Sequence, residues 1–351
     1  SQLSARPRLQ AKAIRTLFRI PKTPRRPKTP VLAELHHALV ALRRASSVVI
    51  CGHVRPDGDA MGSVLAMTLA LRENGISAVP TLADPEEPPS SYGFLPGFGL
   101  YVSADQLEAP DVFIAMDTPT LARLGAGEPL AKTAETVIVF DHHPNGDSYG
   151  AINVVDSSAS ATAQLVWQFA RTLGDPSTDV AECCYVGLVT DTGRFSYGNT
   201  SAAAHRDAAE MIDAGVDPAE IARHVYQSRT SASLAIESRA LSRLTLVNDG
   251  HVAYTWLTDA DFAELDVLPQ DAENLSDAIR VIGGIDAAVL LRQHGSEVRV
   301  NLRSKTGADV GSIAARFGGG GHKAASGFTY DGDIETLMPL LMPLLPGGDQ
   351  A

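Results

Sequence analysis

The 351-residue chain has only three cysteines, Cys51, Cys183 and Cys184, two of them adjacent and the third far away. This excludes a disulfide framework and a CxxC metal site, and predicts three core thiols in a reducing, cytoplasmic setting. Nor is there an apolar run of the roughly 18 residues that a membrane span requires, so no membrane partner is expected. Basic residues are scarce outside one segment. Residues 1–30 carry nine Lys or Arg and no acid, which leaves 20 basic residues against 41 acidic ones in the remainder. A body that acidic lacks the broad cationic surface that neutralises long duplex nucleic acid. Phosphate would have to be met locally, by a few placed cations and metal ions. The basic segment, "RIPKTPRRPKTP", is rich in proline and reads as a flexible tail, its prolines disfavouring the amphipathic helix of a targeting segment. The chain has no internal repeat.

What is present alternates between short apolar runs and helical patterns. Residues 31–45, "VLAELHHALVALRRA", repeat apolar positions at helical spacing, which puts His36 and His37 on a helix face with no ligand role. "SSVVICGHVRPDGDAMGSVLAMTLALRENG" reads as a buried strand, a polar loop and a helix from about Asp59 to near Gly75. "DVFIAMD" is a second apolar run ending in Asp117, and "TVIVFDHHPNGD" a third, running into Asp141, His142 and His143. Helical patterns follow in "ATAQLVWQFARTLG", "VAECCYVGLVTDTG" and "HRDAAEMIDAGV". This predicts an α/β domain over residues 31–225, with a mostly parallel sheet flanked by helices. A helical linker over 226–243 leads to a smaller C-terminal α/β domain, 244–346, and a short tail, 347–351. Within it, "LTLVNDGHVAYTWLT" reads as a hairpin turning at Asn248–Gly250, and "DAAVLLRQHGSEVRVNLRS" as a second one turning at His294–Ser296.

Ligands of parallel sheets gather at the carboxyl ends of the strands, where this chain concentrates acids and imidazoles. The loop "HVRPDGDA" brings His53, Asp57 and Asp59, though Asp57 and Asp59 could also cap the following helix. Asp117, Asp141, His142, His143 and Asp191 of "VTDTGRF" add to the set. So many carboxylates at one sheet edge would repel one another unless cations compensated. Mixed carboxylate and imidazole donors suit Mn, Fe, Co or Zn better than Mg alone. Two such ions about 3.5–4 Å apart can clamp both oxygens of a phosphoryl displacement and activate water. The chemistry this predicts is phosphate-ester hydrolysis.

"HVRPDGDA", "AMD" at Asp117, "FDHH" and "VTDTGRF", in this order and spacing, resemble the four motifs of the DHH phosphoesterase family. "FGGGGHKAASG" resembles the glycine-rich motif of the family's accompanying C-terminal substrate-binding domain. The resemblance spans about residues 30–345 and implies an active site in the cleft between two domains. It implies His53 and Asp57 on one ion, Asp59, His142 and Asp191 on the other, and Asp117 bridging both. It further implies that Asp141 orients a ligating imidazole while His143 faces the scissile phosphate. Arg55 stands where the family often has Asn, outside the ligand set. Mn is the metal the resemblance favours, and a homodimer the assembly. In size and short linker the chain is most similar to the branch that hydrolyses short oligoribonucleotides and 3′-phosphoadenosine 5′-phosphate. Linear or cyclic di-AMP would be further substrates by the same similarity.

Gly318–Gly321 could be a linker by composition, but they follow a helical pattern inside a domain. Glycines let backbone N–H groups approach an anion closely. With His322 beside them and Arg303 at the end of "VRVNLRS", they would make a phosphate pocket, and the resemblance assigns Gly319, Gly320, Gly321, His322 and Arg303 to substrate binding. Arg123 is either a solvated surface charge or a phosphate contact made plausible by similar proteins. In "DSSASATA", Ser158 or Ser160 reads first as a helix cap and Ser158 second as a substrate contact. Three other readings remain open here. They are an inorganic pyrophosphatase sharing the metal motifs, a single-strand DNA exonuclease of the RecJ type, and a catalytically silent nucleotide sensor.

Overall fold

The structure, a computed structural model, describes residues 30–84, 88–144, 146–272, 275–321 and 323–348. Residues 1–29 of the basic tail and His322 lie outside the described residues. The chain divides into two compact units, the first ending at Val225 and the second beginning at Tyr226.

In the first unit the strands are β1 (Val48–Cys51), β2 (Ala78–Thr81), β3 (Val112–Met116), β4 (Thr136–Asp141) and β5 (Ile152–Val155). They form one sheet in the order β2-β1-β3-β4-β5, with every neighbouring pair parallel. All residues of β1 and β3 are buried, which explains why their sequences are continuously apolar rather than alternating. The helices are α1 (Pro30–Leu42), α2 (Gly58–Glu73), α3 (Glu128–Thr133), α4 (Thr162–Leu173), α5 (Thr178–Asp191) and α6 (Ala202–Asp213), with α7 (Pro218–Tyr226) at the unit's end. On one face of the sheet, Leu124, Leu130 and Ala131 pack against Val49, Phe113 and Val139. Helices α2, α4 and α5 pack on one another, and Phe169 of α4 meets Phe140 of β4 edge to face at 5.5 Å. The approach of α2 to α5 depends on Gly62, where a Cβ would lie 2.3 Å from the Cys183 carbonyl oxygen. Cys51, Cys183 and Cys184 are buried and unpaired, as their spacing predicted. His36 and His37 are exposed on α1, and His37 faces Glu34 at 3.5 Å.

Strands β2 and β5 have no counterpart in the sequence reading. Both are four-residue strands at the sheet's edges, and β2 contains Pro80. Proline and brevity are tolerated at edges and give little periodic signal.

The second unit opens with α8 (Ser231–Ser242), followed by β6 (Thr245–Val247), β7 (Val252–Thr258), α9 (Asp259–Leu265) and α10 (Leu275–Arg280). Then come β8 (Ala287–His294), β9 (Glu297–Ser304), α11 (Val310–Arg316), β10 (Gly320–Gly321), β11 (Ala325–Asp331) and α12 (Ile334–Leu341). The six strands form a mixed sheet in the order β10-β11-β9-β8-β7-β6, in which only β7 and β8 run parallel. Both predicted hairpins are present, as β6–β7 and β8–β9. Asp261, almost fully buried, joins Arg239 and Arg243 of the α8 region to the start of α9. Its carboxyl is held well below the usual range: burial opposes ionisation, but the two guanidinium groups and the Thr258 N–H outweigh it. No helix among the described residues is long and apolar enough to cross a membrane.

Candidate metal centre

The strand order reverses between β1 and β3, and at such a switch point the loops leaving adjacent strands diverge and open a crevice. His53 follows β1 there, Asp117 follows β3, and Asp141 ends β4 with His142 and His143 after it. Asp117 turns the chain sharply with φ +55, while its N–H still donates to the Phe140 carbonyl at 2.9 Å. Helices α2 and α5 bring the remaining acids, Asp59 from the first turn of α2 and Asp191 from the last turn of α5.

These side chains form two donor sets that meet at Asp117, and His143 joins Asp117 and His142 in a further group. Its Oδ2 lies 3.5 Å from His53 Nε2, which is itself 3.8 Å from Asp57 Oδ1. Its Oδ1 lies 3.5 Å from His142 Nε2, which is 3.9 Å from Asp59 Oδ2 and 3.7 Å from Asp191 Oδ2. Such separations are too long for good hydrogen bonds. They approach the spacing of roughly 3–3.5 Å expected for donor atoms about 2.1 Å from one shared ion.

Protein contacts aim the donors. His53 Nδ1 faces the Val54 carbonyl at 2.9 Å and His142 Nδ1 the Ala159 carbonyl at 3.4 Å, so a proton on each Nδ1 leaves the Nε2 lone pair directed inward. Asp57 is the N-cap of α2, its Oδ1 accepting from the N–H groups of Asp59 and Ala60. Asp59 accepts three bonds, from Ser63 Oγ and the Ala163 N–H at Oδ1 and from the Thr162 N–H at Oδ2. The start of α4 is therefore capped by a carboxylate 103 residues away. Neither Ser158 nor Ser160 caps that helix, contrary to the local pattern: the N-cap is Ala161, without a side-chain bond. Ser160 instead donates to the Asn199 carbonyl, and Ser158 donates through both N–H and hydroxyl to Asp156. Gly187 of α5 admits this arrangement, because a Cβ there would lie 2.5 Å from Ala163 Cβ and 2.8 Å from Asp59 Oδ1.

Asp141 is almost fully buried, and its Oδ1 lies 2.7 Å from His143 Nδ1 and accepts the His143 N–H. Its imidazole partner is thus His143, the residue expected to face phosphate, whose Nδ1 also lies 3.5 Å from Asp117 Oδ1 and which groups with Asp117 and His142 as a possible ion donor. Asn199 is not among the site residues that the motifs imply. Its Nδ2 donates to the Ser160 carbonyl, the Asp191 carbonyl and Asp191 Oδ2 at 3.0–3.1 Å. A left-handed turn at Gly193, Arg194 and Phe195 lies between Asp191 and Asn199, and Phe195 there pays a steric cost that Gly does not. No sequence signal marks Asn199, because its partners come from separate segments.

The electrostatics describe a donor set with too much negative charge. Among the described residues, the ion pairs of Asp57, Asp59, Asp117, Asp141 and Asp191 are with histidines alone. Burial, then repulsion from Asp117, pushes the Asp59 carboxyl well above its usual range, and burial with the same repulsion lifts Asp191 to about 6. Burial would lower His53 and His142, but Asp117 with Asp57 raises the first to about 10, and Asp59 with Asp117 and Asp191 raises the second to about 9. Protons thus supply the missing positive charge, and divalent cations could replace them. Metal binding should therefore strengthen as pH rises from 6 to 9, because both imidazoles must lose protons to act as donors. Titration calorimetry in buffers of different ionisation enthalpy should show proton release; binding heats independent of the buffer would contradict this.

The other expected site residues belong to none of these donor groups. Arg123 is exposed, on a 3₁₀ segment (Leu121–Gly127) whose Arg123 carbonyl accepts the Val54 N–H at 2.9 Å, so its backbone adjoins the His53 loop. Arg303 lies in β9, opposite Ala325 of β11. The Gly319 N–H donates to the Ala314 carbonyl at the end of α11, and Gly320 and Gly321 pair with Gly327 and Ser326. A Cβ at Gly319 would lie 2.3 Å from the Gly327 carbonyl oxygen, so packing alone requires that glycine, whereas Gly320 faces open space.

Comparison with known proteins places these motifs in a family. Residues 47–188 match the DHH family N-terminal domain, and residues 249–340 match the DHHA1 domain. A bifunctional oligoribonuclease and PAP phosphatase NrnA of Thermus thermophilus is 33% identical over 287 residues, covering 81% of this chain and 84% of its own length. Its namesake from Bacillus subtilis is 28% identical over 308 residues, covering 83% and 94%. Among solved structures, an exopolyphosphatase-related protein from Bacteroides fragilis superposes with a TM-score of 0.84 at 26% identity, covering 89% of this chain and 95% of that one.

Proposed function

Because the chain belongs to the DHH family of phosphoesterases and carries its DHHA1 domain, we propose that it hydrolyses short oligoribonucleotides to 5′-mononucleotides and 3′-phosphoadenosine 5′-phosphate to AMP, using two divalent ions. Linear or cyclic di-AMP belongs to the same substrate class, and Mn is the metal proposed. The observation that carries this reading is the division of Asp117, with one carboxylate oxygen toward His53 and Asp57 and the other toward His142, Asp59 and Asp191. The names of the two curated relatives support the substrates. A cytoplasmic homodimer follows the resemblance in the motifs.

Ions bound by these donors would supply Lewis-acid polarisation of the phosphoryl group and activation of water. The chain's own residues do the rest. Asp117 orients both donor sets, and the start of α4 and Asn199 hold Asp59 and Asp191 in place. With its Nδ1–H donated to Asp141, His143 would need a second proton on Nε2, and that Nε2–H would bind the phosphate or pass its proton to the leaving oxygen. In this reading Arg303, Gly319, Gly320, Gly321 and His322 of the DHHA1 domain, with Arg123 and Ser158 as lesser contacts, hold the nucleotide.

Asp141→Asn keeps the side chain's shape and removes the charge behind His143. The expected result is a fall in kcat of about 100-fold with metal stoichiometry unchanged. Loss of bound metal in this variant would mean that Asp141 supports the donor sets instead. The reading itself is tested by incubating the full chain, with Mn or with chelator, with a short RNA ladder, 3′-phosphoadenosine 5′-phosphate, linear di-AMP and pyrophosphate. Mn-dependent loss of the nucleotides with pyrophosphate intact is the expected result. Cleavage of pyrophosphate alone would make the chain a pyrophosphatase, and no cleavage at all would favour a nucleotide sensor.

A further inference from the structure

We propose that Thr162 is a positioning residue that fixes the orientation of Asp117 and ties the two donor sets together, an inference that rests on the two-ion reading above. Thr162 is fully buried at the first position of α4. Its N–H donates to Asp59 Oδ2 at 2.7 Å and its hydroxyl donates to Asp117 Oδ1 at 2.9 Å. These carboxylates leave different segments, the start of α2 and the end of β3, and their charges repel. One residue thus holds two like-charged groups side by side.

The hydroxyl bond also selects how Asp117 faces. A carboxylate oxygen has two acceptor directions. On Oδ1 the Thr162 hydroxyl takes one, and His142 Nε2 and His143 Nδ1 each lie 3.5 Å from the same atom. The Asp117 main chain is fixed by its N–H bond to Phe140, but that bond leaves the side-chain torsions free. The Thr162 hydroxyl, at 2.9 Å, is nearer to this side chain than the imidazoles of His53, His142 and His143, each at 3.5 Å. Without it, rotation of Asp117 would disturb both donor sets at once. The hydroxyl has no part in capping α4, whose N-cap is Ala161 and whose first N–H groups are taken by Asp59. Its chemistry is directed wholly at Asp117.

The test compares Thr162→Val, which keeps the branched shape without the hydroxyl, with Thr162→Ser, which keeps the hydroxyl. Each full-length variant is titrated with Mn by calorimetry, followed by electron paramagnetic resonance of the bound ions and by steady-state kinetics. Wild type should bind two ions. Thr162→Val should bind at least one of them 10- to 100-fold more weakly and show a reduced kcat, with Thr162→Ser within about threefold of wild type in both. Wild-type affinities and kcat in Thr162→Val would overturn the inference. Equal impairment in Thr162→Ser would overturn it too, because packing of the methyl group would then be the cause. If Thr162→Val does not fold, Thr162→Ala against Thr162→Ser applies the same criteria. Fewer than two ions on wild type would overturn the two-ion reading itself, a failure visible before any variant is made.

Discussion

Asp117→Ala should reduce turnover by at least about 1000-fold, the largest single effect expected in this chain. The carboxylate is 3% exposed and belongs to both donor sets, so its removal takes a donor from each. If the paired ions contribute several kcal/mol to the transition state, losing the group that relates them removes about 4 kcal/mol or more, equivalent to that factor. The same change should cost little in fold stability. Asp117 is held well below the usual carboxylate range, burial opposing its ionisation but His53, His142 and His143 overcoming it. Alanine loses that attraction and leaves the Thr162 hydroxyl without its partner, yet it also removes a buried charge. Mn titration, phosphodiesterase assay and thermal unfolding of the variant separate these effects. Near-normal turnover would rule out a shared role for Asp117, and loss of fold would mean that the carboxylate is structural first.

Asp59→Ala should lower stability by about 3 kcal/mol, an effect that its neighbour Asp57 cannot match. The alanine variant leaves the N–H groups of Thr162 and Ala163 and the Ser63 hydroxyl without an acceptor in a site sealed from water. Each orphaned buried group costs about 1–3 kcal/mol. Part of that loss is returned, because burial and Asp117 already make ionised Asp59 costly in the folded chain. Asp57 caps α2 by a comparable pair of bonds, but its side chain is 59% exposed, and water can replace it. Asp57→Ala should therefore cost about 1 kcal/mol. Denaturant unfolding of the metal-free variants, followed through the transition of the first unit, would make the comparison. Equal losses at the two positions would mean that the capping of α4 by Asp59 contributes nothing. Asp59→Asn, which retains an acceptor, should fall between wild type and alanine.

Strand ends were legible because buried parallel strands are unbroken apolar runs, and "VVIC", "VFIAM" and "TVIVFD" stop at the residues where polar chemistry starts. The paired histidines and the acids of the four motifs were legible for the same reason, and the hairpins because Asn248–Gly250 and His294–Ser296 carry turn chemistry. Each of these signals is local. The edge strands β2 and β5 gave none, being short segments defined only by their pairing partners.

The sequence by itself determined the two-unit α/β character of this protein, the chemical types gathered at the sheet edge and the family they belong to. Tertiary structure decided which of those groups touch. The cap of α4 comes from Asp59 rather than from the adjacent serines, Asp141 is turned to His143, and Thr162 and Asn199, unremarkable in the chain, hold Asp59, Asp117 and Asp191. Asp141 and His143 are two residues apart, but for Asp59, Thr162 and Asn199 the physical reason is shared. A hydrogen bond depends on distance and direction in space, and once the first unit's helices pack beside its sheet, residues far apart in sequence become nearer partners than those beside them.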